Sequence, residues 1–181
     1  MRLFIAIELP AELKQALGKL RRALPGARWV AAAQLHLTLA FLGEVEETSV
    51  GELTKELARM HLPSFTLTLT GIDSFPDPQH PRPRVLWVGL APQPRLTKLV
   101  AAVQGALRAG GLLVEERPFS AHITLARLSI PAAREVKAFL DQPLPLSLPL
   151  LAVHEFILFE SRLTQQGVEH RPLTSFPLTT G

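Results

Sequence analysis

Two tetrapeptides of one pattern, His36-Leu37-Thr38-Leu39 and His122-Ile123-Thr124-Leu125, recur in the two halves of the chain. On an extended strand alternate side chains share a face, so each presents a histidine and a threonine on one side and two apolar residues on the other. A lone strand histidine is most often a surface or satisfied core group, but a repeated His-x-Thr on an apolar backing points to two groups that work together. Two imidazoles facing one phosphate can divide acid–base work, because histidine titrates near neutral pH. The neutral ring takes a proton from water and the protonated ring gives one to the leaving sugar oxygen. Thr38 and Thr124 can donate hydroxyl hydrogen bonds to the nonbridging phosphate oxygens as negative charge gathers there. This scheme calls for no metal, and the residues alone do not rank His36 and His122 as acid or base. Arg127, just beyond the second motif, falls on the face opposite His122 and Thr124 if the strand is regular, unless a bulge or strand end redirects it.

The remaining histidines, His61, His80, His154 and His170, are scattered without the spacing of a metal site. Cysteine is absent, which removes disulfides, thiolate zinc ligands and thiol nucleophiles together. There is no glycine-rich phosphate loop, paired-carboxylate signature or serine elbow. Trp29 and Trp87 sit beside apolar strand residues and read as core. Phe41 and Phe119, each near a motif, are better candidates for stacking on a base, although burial competes for both. Arg82, Arg84, Arg117 and Arg127 could rim a cleft and track an RNA backbone, or form a solvated loop face.

The elements that must position these groups follow from periodicity. Leu3 to Ile7 reads as a buried strand, and Pro10 opens a helix through Leu13, Leu17, Leu20 and Leu24 that Pro25-Gly26 ends. The first motif lies on a strand from about Leu35 to Leu42. A helix follows with Val50, Leu53, Leu57 and Met60 on one face, its start marked by Ser49 to Glu52 at capping-box spacing. Phe65 to Thr70 alternates as a strand. The Pro-rich stretch from Ser74 to Arg84 is neither helix nor central strand. Beyond it the order repeats: a strand at Val85 to Leu90, a helix from about Arg95 to the Gly110-Gly111 stop, the second motif strand from His122 to Leu128, and a helix from about Pro131 to Leu140. Strands near Val153 to Phe159 and Arg171 to Pro177 close the chain. One duplication predicts an α+β fold: a single bilobal domain over 1–181, with a first lobe of about 1–74, a connector at 75–84 and a second lobe at 85–181. Each lobe is a helix-backed sheet, and the two face one another across a cleft.

Composition sets outer bounds. The 181 residues, 47% hydrophobic, suffice for a sizeable core, and no apolar run is long enough to span a bilayer. The N-terminal Met1 to Glu8 meets an acid and Pro10 before it could act as a signal, so a cytoplasmic location is the default expectation. A net charge of +3 suits a polyanionic partner only as a second witness. Asn and Tyr are absent, Pro numbers 16 and Arg greatly outnumbers Lys, a bias that fits a heat-adapted or high-GC source.

The segments His36 to Gly43 and His122 to Arg127 resemble the two signature motifs of the 2H phosphoesterase superfamily, in particular the RNA 2′,3′-cyclic phosphodiesterases once named 2′-5′ RNA ligases. The likeness extends to Arg84 to Leu90, Glu160 to Leu163, Gly167 and Phe176 to Leu178, and so covers nearly the whole chain. It implies a bilobal fold with pseudo-twofold-related, mainly antiparallel sheets, hydrolysis of a terminal 2′,3′-cyclic phosphate on RNA or a nucleotide to a 2′-phosphomonoester, no cofactor, no membrane and no obligate protein partner. It also implies that His36 is the proton donor and His122 the acceptor, that Arg127 joins Thr38 and Thr124 on the phosphate, and that the position of His170 contacts substrate; Phe41 and Phe119 are substrate-contact candidates from their places near the motifs. Ala121 stands where the family usually has Pro, and His170 where it usually has Tyr. Two other activities fit the same residues: 2′-5′ ligation by the reverse reaction, and nucleotide or RNA binding without chemistry.

Overall fold

Short apolar runs become strands and longer 3.6-periodic runs become helices in the computed structural model, which describes residues 1–76, 82–115, 117–129, 133–145 and 148–180. Among these, in chain order, lie β1 (Arg2–Glu8), α1 (Ala11–Gly18), β2 (Ala27–Trp29), β3 (His36–Glu44), α2 (Glu47–Ala58), β4 (Phe65–Leu67), β5 (Leu69–Phe75), β6 (Val85–Leu90), α3 (Pro94–Ala109), β7 (His122–Leu128), α4 (Ala133–Leu140), β8 (Leu151–Val153), β9 (Glu155–Thr164) and β10 (Gly167–Pro177). One sheet runs β10-β9-β1-β3-β7-β6-β5, with β2 also paired to β7, while β4 and β8 pair by themselves. The named strands all pair antiparallel. The expected α+β class with two related sheet halves is therefore observed.

The halves are interleaved along the chain. β5, the last strand of the first repeat, pairs with β6 of the second, and β9 of the second pairs with β1 of the first. The pseudo-twofold axis passes between β3 and β7, which meet at one bridge, Leu37 opposite Ile123. These are the same position of the two motifs.

Alternation decides what each strand buries. Leu3, Ile5, Ile7, Leu37, Leu39, Val88, Ile123 and Leu125 meet Leu13 and Leu17 of α1, Leu53 and Leu57 of α2 and Leu99, Val103 and Leu107 of α3 in one buried cluster. Val136 and Phe139 of α4 pack with Leu86, Ala126 and Leu128 in a second. The helices thus back one face of the sheet and leave the other open. Among the described residues no helix is long and apolar enough to cross a membrane.

Several boundaries differ from the periodic reading. α1 stops at Gly18 because Leu20 and Arg21 bond back three residues, to Leu17 and Gly18, a tightened turn that ends the helix before Pro25. Ser49 lies inside the first turn of α2, and Glu46 occupies the cap. The run from Phe65 to Thr70 breaks at Thr68 into strands that join different sheets. The closing run near Val153 divides the same way, into β8 and β9. β2 carried no periodic signal. Phe75, placed in the Pro-rich connector, is the last residue of β5. The middle of that connector, 77–81 with His80, and the expected fourth-helix start at 131–132 lie outside the described residues.

Truncating Leu37, fully buried at the β3–β7 bridge, removes packing from both halves at once. Leu37→Ala is expected to lower stability by about 2–5 kcal/mol in denaturant unfolding. Thr66→Ala, on the exposed side of β4, is expected to change it by no more than about 0.5 kcal/mol.

A candidate active site at the sheet seam

Burial of Leu37 and Ile123 against the helices turns their neighbours toward the open face. Continued one residue either way, the antiparallel register sets His36 across from Thr124 and Thr38 across from His122. Each histidine thereby faces the other motif's threonine.

Both imidazoles are oriented alike. His36 Nδ1 lies 2.7 Å from the Gln34 carbonyl oxygen, and His122 Nδ1 lies 2.8 Å from that of Ser120. A carbonyl only accepts, so Nδ1 carries the hydrogen in both rings and Nε2 is left for chemistry.

Their surroundings differ. The His36 ring lies 5.1 Å from Phe4 and 5.1 Å, edge-on, from His170. Phe4, Ala6, Ile157 and Phe159 form a small buried apolar cluster. Burial lowers His36 to about 4. The Gln34 hydrogen bond and Glu8 oppose that shift, whereas His170 and Lys14 add to it. Burial lowers His170 as well. His36 is thus neutral at pH 7 in the free protein. His122 is flanked instead by Phe75, edge-on at 5.1 Å, and Trp87 at 6.0 Å, which stack on each other at 4.8 Å. Gly89 stands opposite His122, and a Cβ there would come within 2.7 Å of Thr70 Oγ1 and 3.1 Å of Trp87 Cζ3. Glycine at 89 makes room for the indole.

The motif strands share one irregularity. In β3, Thr38 pairs with Ala6 but Ala40 with Ile5, so Leu39 has no partner of its own. In β7, Thr124 pairs with Trp87 but Ala126 with Leu86, which leaves Leu125 extra. An extra residue reverses the alternation beyond it. Leu125 and Ala126 therefore both face the helices, and the exposed Arg127 returns to the face of His122 and Thr124. This corrects the regular-strand expectation for Arg127. The matching bulge turns Phe41 to the open face, 61% exposed, with its ring 6.4 Å from Phe4.

Other sequence candidates fall elsewhere. Phe119 is half-buried against the main core. Trp29 meets Phe139 edge-on at 5.4 Å on the helix side. Trp87, read as core, belongs to the open-face wall, and its indole Nε1–H has no acceptor among the described residues. Arg117 pairs with Glu115 at 3.5 Å, while Arg82 and Arg84 are exposed. Phe75 was missed because only its Pro-rich surroundings were legible. Among the described residues no three His, Asp or Glu side chains cluster as metal ligands.

A family model described as LigT like Phosphoesterase matches the chain twice, over residues 7–87 and 88–170. An RNA 2′,3′-cyclic phosphodiesterase of Escherichia coli K12 is 36% identical over 182 residues, covering 98% of this chain and 97% of that protein. One from Thermotoga maritima is 35% identical over 180 residues, covering 96% and 93%. The crystal structure of E. coli LigT in its apo form superposes with a TM-score of 0.82 at 34% identity, covering 99% of this chain and 98% of that one. LigT complexed with 3′-AMP gives a TM-score of 0.80 at 33% identity and the same coverage.

A buried histidine near 4 in the native state and near 6.5 when unfolded takes up protons preferentially on unfolding. Its stabilising contribution is full above about pH 6.5 and is lost as pH falls toward 4. The loss amounts to about 3 kcal/mol for His36. NMR titration is expected to show the His36 imidazole in its Nδ1–H tautomer with a midpoint near 4. Denaturant unfolding at pH 7 and pH 4 is expected to show a smaller acid penalty in His36→Gln. A His36 midpoint near the ordinary value would contradict the role given to burial.

Proposed function

The chain belongs to the LigT-like phosphoesterase family, and from that membership we propose that it is an RNA 2′,3′-cyclic phosphodiesterase that opens a terminal cyclic phosphate to a 2′-phosphomonoester. The observation that carries the reading is the pair of His-x-Thr strands facing each other across one bridge. The shared activity of the relatives and the 3′-AMP complex of LigT support a nucleotide phosphate at this seam.

The cyclic phosphate sits over Leu37 and Ile123 with a nonbridging oxygen toward each threonine hydroxyl. Nε2 of His122 takes a proton from a water whose oxygen bonds to phosphorus. The bond from phosphorus to O3′ breaks, and Nε2–H of His36 protonates the departing oxygen. One proton is taken and one is given, so exchange with solvent resets both rings. His36 is neutral in the free protein, and the proton it delivers arrives with the substrate. A phosphate's negative charge beside a desolvated ring raises that ring's proton affinity. Arg127 adds positive charge on the same face. Phe41 and His170 offer ring surfaces to the terminal nucleoside on the His36 side, and Phe119 backs the second motif from the core. Chemistry on RNA ends fits a cytoplasmic protein.

Hydrolysis of a nucleoside 2′,3′-cyclic phosphate in the presence of a chelator is expected to yield the 2′-phosphate. Either His36→Ala or His122→Ala is expected to cost roughly 10²–10⁴-fold in kcat. Residual turnover at the wild-type rate in the double variant would refute the mechanism. Adding a 2′-nucleotide product is expected to raise the His36 midpoint above its free value in the NMR titration. A midpoint that stays put while His122 becomes protonated would exchange the two roles.

A further inference from the structure

His36 and His122 hold their rings by the same bond, but the carbonyls that accept it are supported differently. In the first repeat the acceptor belongs to a single 3-10 turn, Ala32–Gln34, just before β3. That turn bonds the Gln34 and Leu35 amides back to the Ala31 and Ala32 carbonyls, at 2.8 and 3.2 Å. So short a turn leaves its last carbonyls to other donors. Lys14 Nζ of α1 donates to the Ala33 carbonyl at 3.0 Å, and His36 Nδ1–H donates to the Gln34 carbonyl beside it. The Gln34 side chain donates to the Val168 carbonyl of β10, so the segment is held from two sides. In the second repeat Ser120 lies outside any helix or strand, and among the described residues no lysine or arginine donates to its carbonyl or to that of Phe119.

Lys14 has a second partner. Leu3, Ile5 and Ile7 of β1 lie in the buried cluster, so alternation turns Glu8 to the open side, where it stands directly opposite His36. Its carboxylate accepts a charged hydrogen bond from Lys14 Nζ at 2.9 Å. The lysine side chain is only 15% exposed and that of the glutamate 51%. A largely buried cation beside the ring that must deliver a proton works against that ring's charged form, and a carboxylate on the facing strand works for it. The charged and titratable groups that act on His36 are Glu8 of β1, which favours its protonation, and Lys14 of α1 and His170 of β10, which oppose it. The position opposite His122 is Gly89, which has no side chain. The Lys14–Glu8 pair thus belongs to the donor's half of the seam.

We propose that Lys14 and Glu8 are positioning residues for the proton donor: Lys14 fixes the turn whose Gln34 carbonyl aims the His36 ring, and Glu8 both holds that lysine and offsets its charge beside the ring. With the Gln34 carbonyl fixed, Nδ1 keeps its hydrogen and Nε2 is kept for the departing O3′. This rests on the phosphodiesterase reading and on His36 as its donor.

Steady-state hydrolysis of a nucleoside 2′,3′-cyclic phosphate, joined to nitrogen NMR of the histidine rings, separates these roles from support of the fold alone. Lys14→Met is expected to lower kcat by about tenfold with KM within about twofold of the wild-type value. At pH 7 it is expected to show a mixture of Nδ1–H and Nε2–H tautomers at His36, with His122 unchanged. Lys14→Arg, which can still reach the carbonyl and the carboxylate, is expected to recover most of the rate. Glu8→Gln keeps an acceptor for Lys14 and is expected to keep the tautomer while kcat falls about two- to threefold. In that variant His36 is expected to titrate below its wild-type midpoint, and the alkaline limb of the kcat–pH profile to move to lower pH, because the donor loses its proton earlier. Lys55→Met, which removes an exposed ion pair on α2, is expected to keep the wild-type kcat. If Lys14→Met fails to fold, the pH profile of Glu8→Gln decides the proposal. A wild-type kcat in Lys14→Met, or a lowered one with the His36 tautomer intact and no recovery in Lys14→Arg, would overturn the role of Lys14. An unmoved alkaline limb in Glu8→Gln would overturn that of Glu8. Both outcomes leave hydrolysis by the wild-type protein intact, whereas a wild-type protein inactive on the cyclic phosphate would overturn the phosphodiesterase reading and this inference with it.

Discussion

β3 and β7 meet at one pair of residues, Leu37 and Ile123, and both are completely buried. Strand side chains alternate with a period of two, so hiding these two against the helices turns His36, Thr38, His122 and Thr124 to the opposite face. A slip of one residue in either strand would bury a histidine in a leucine core and expose a leucine to water. Hydrophobic burial on one side of the seam thus sets the register of the polar groups on the other, and the site needs no separate device to assemble it.

Symmetry is useful here only because it is broken. Both histidines make the same Nδ1 hydrogen bond to the carbonyl two residues earlier, and both motif strands bulge at the fourth motif position. The two imidazoles nevertheless stand in unlike surroundings. The difference comes from neighbours. Phe4 and His170 press on His36 and remove water from it, whereas Phe75 and Trp87 flank a less enclosed His122. The ends of the seam diverge in the same way, since the bulge delivers Phe41 on one strand and Arg127 on the other.

The interleaving of the halves has a mechanical consequence. β9 lies beside β1 and β5 beside β6, so each half of the sheet holds strands from both repeats. Separating the two repeats would break those pairings as well as the seam. On the helix side, one buried cluster carries Leu37 and Ile123 together with residues of α1, α2 and α3, and so backs the seam, while α4 packs in a separate one. Phe4, Phe75 and Trp87, the rings beside the histidines, therefore sit on strands paired across the two repeats.

The duplicated His-x-Thr-Leu pattern, the order of strands and helices and the faces of most strands were legible in the amino-acid sequence, because period-two and period-3.6 burial are local and written into neighbouring residues. So was the pairing of two imidazoles with two threonines. The sequence could not show which strands become neighbours, since β2 and β9 find partners far along the chain, nor that one alternating run at Phe65 to Thr70 serves two sheets. It could not settle the facing of Arg127 either, because a bulge is decided by register against the adjacent strand. Nor could it separate His36 from His122, which have the same local motif. Dehydration by Phe4 and His170 makes that distinction, and dehydration is a property of packed neighbours rather than of the residue itself.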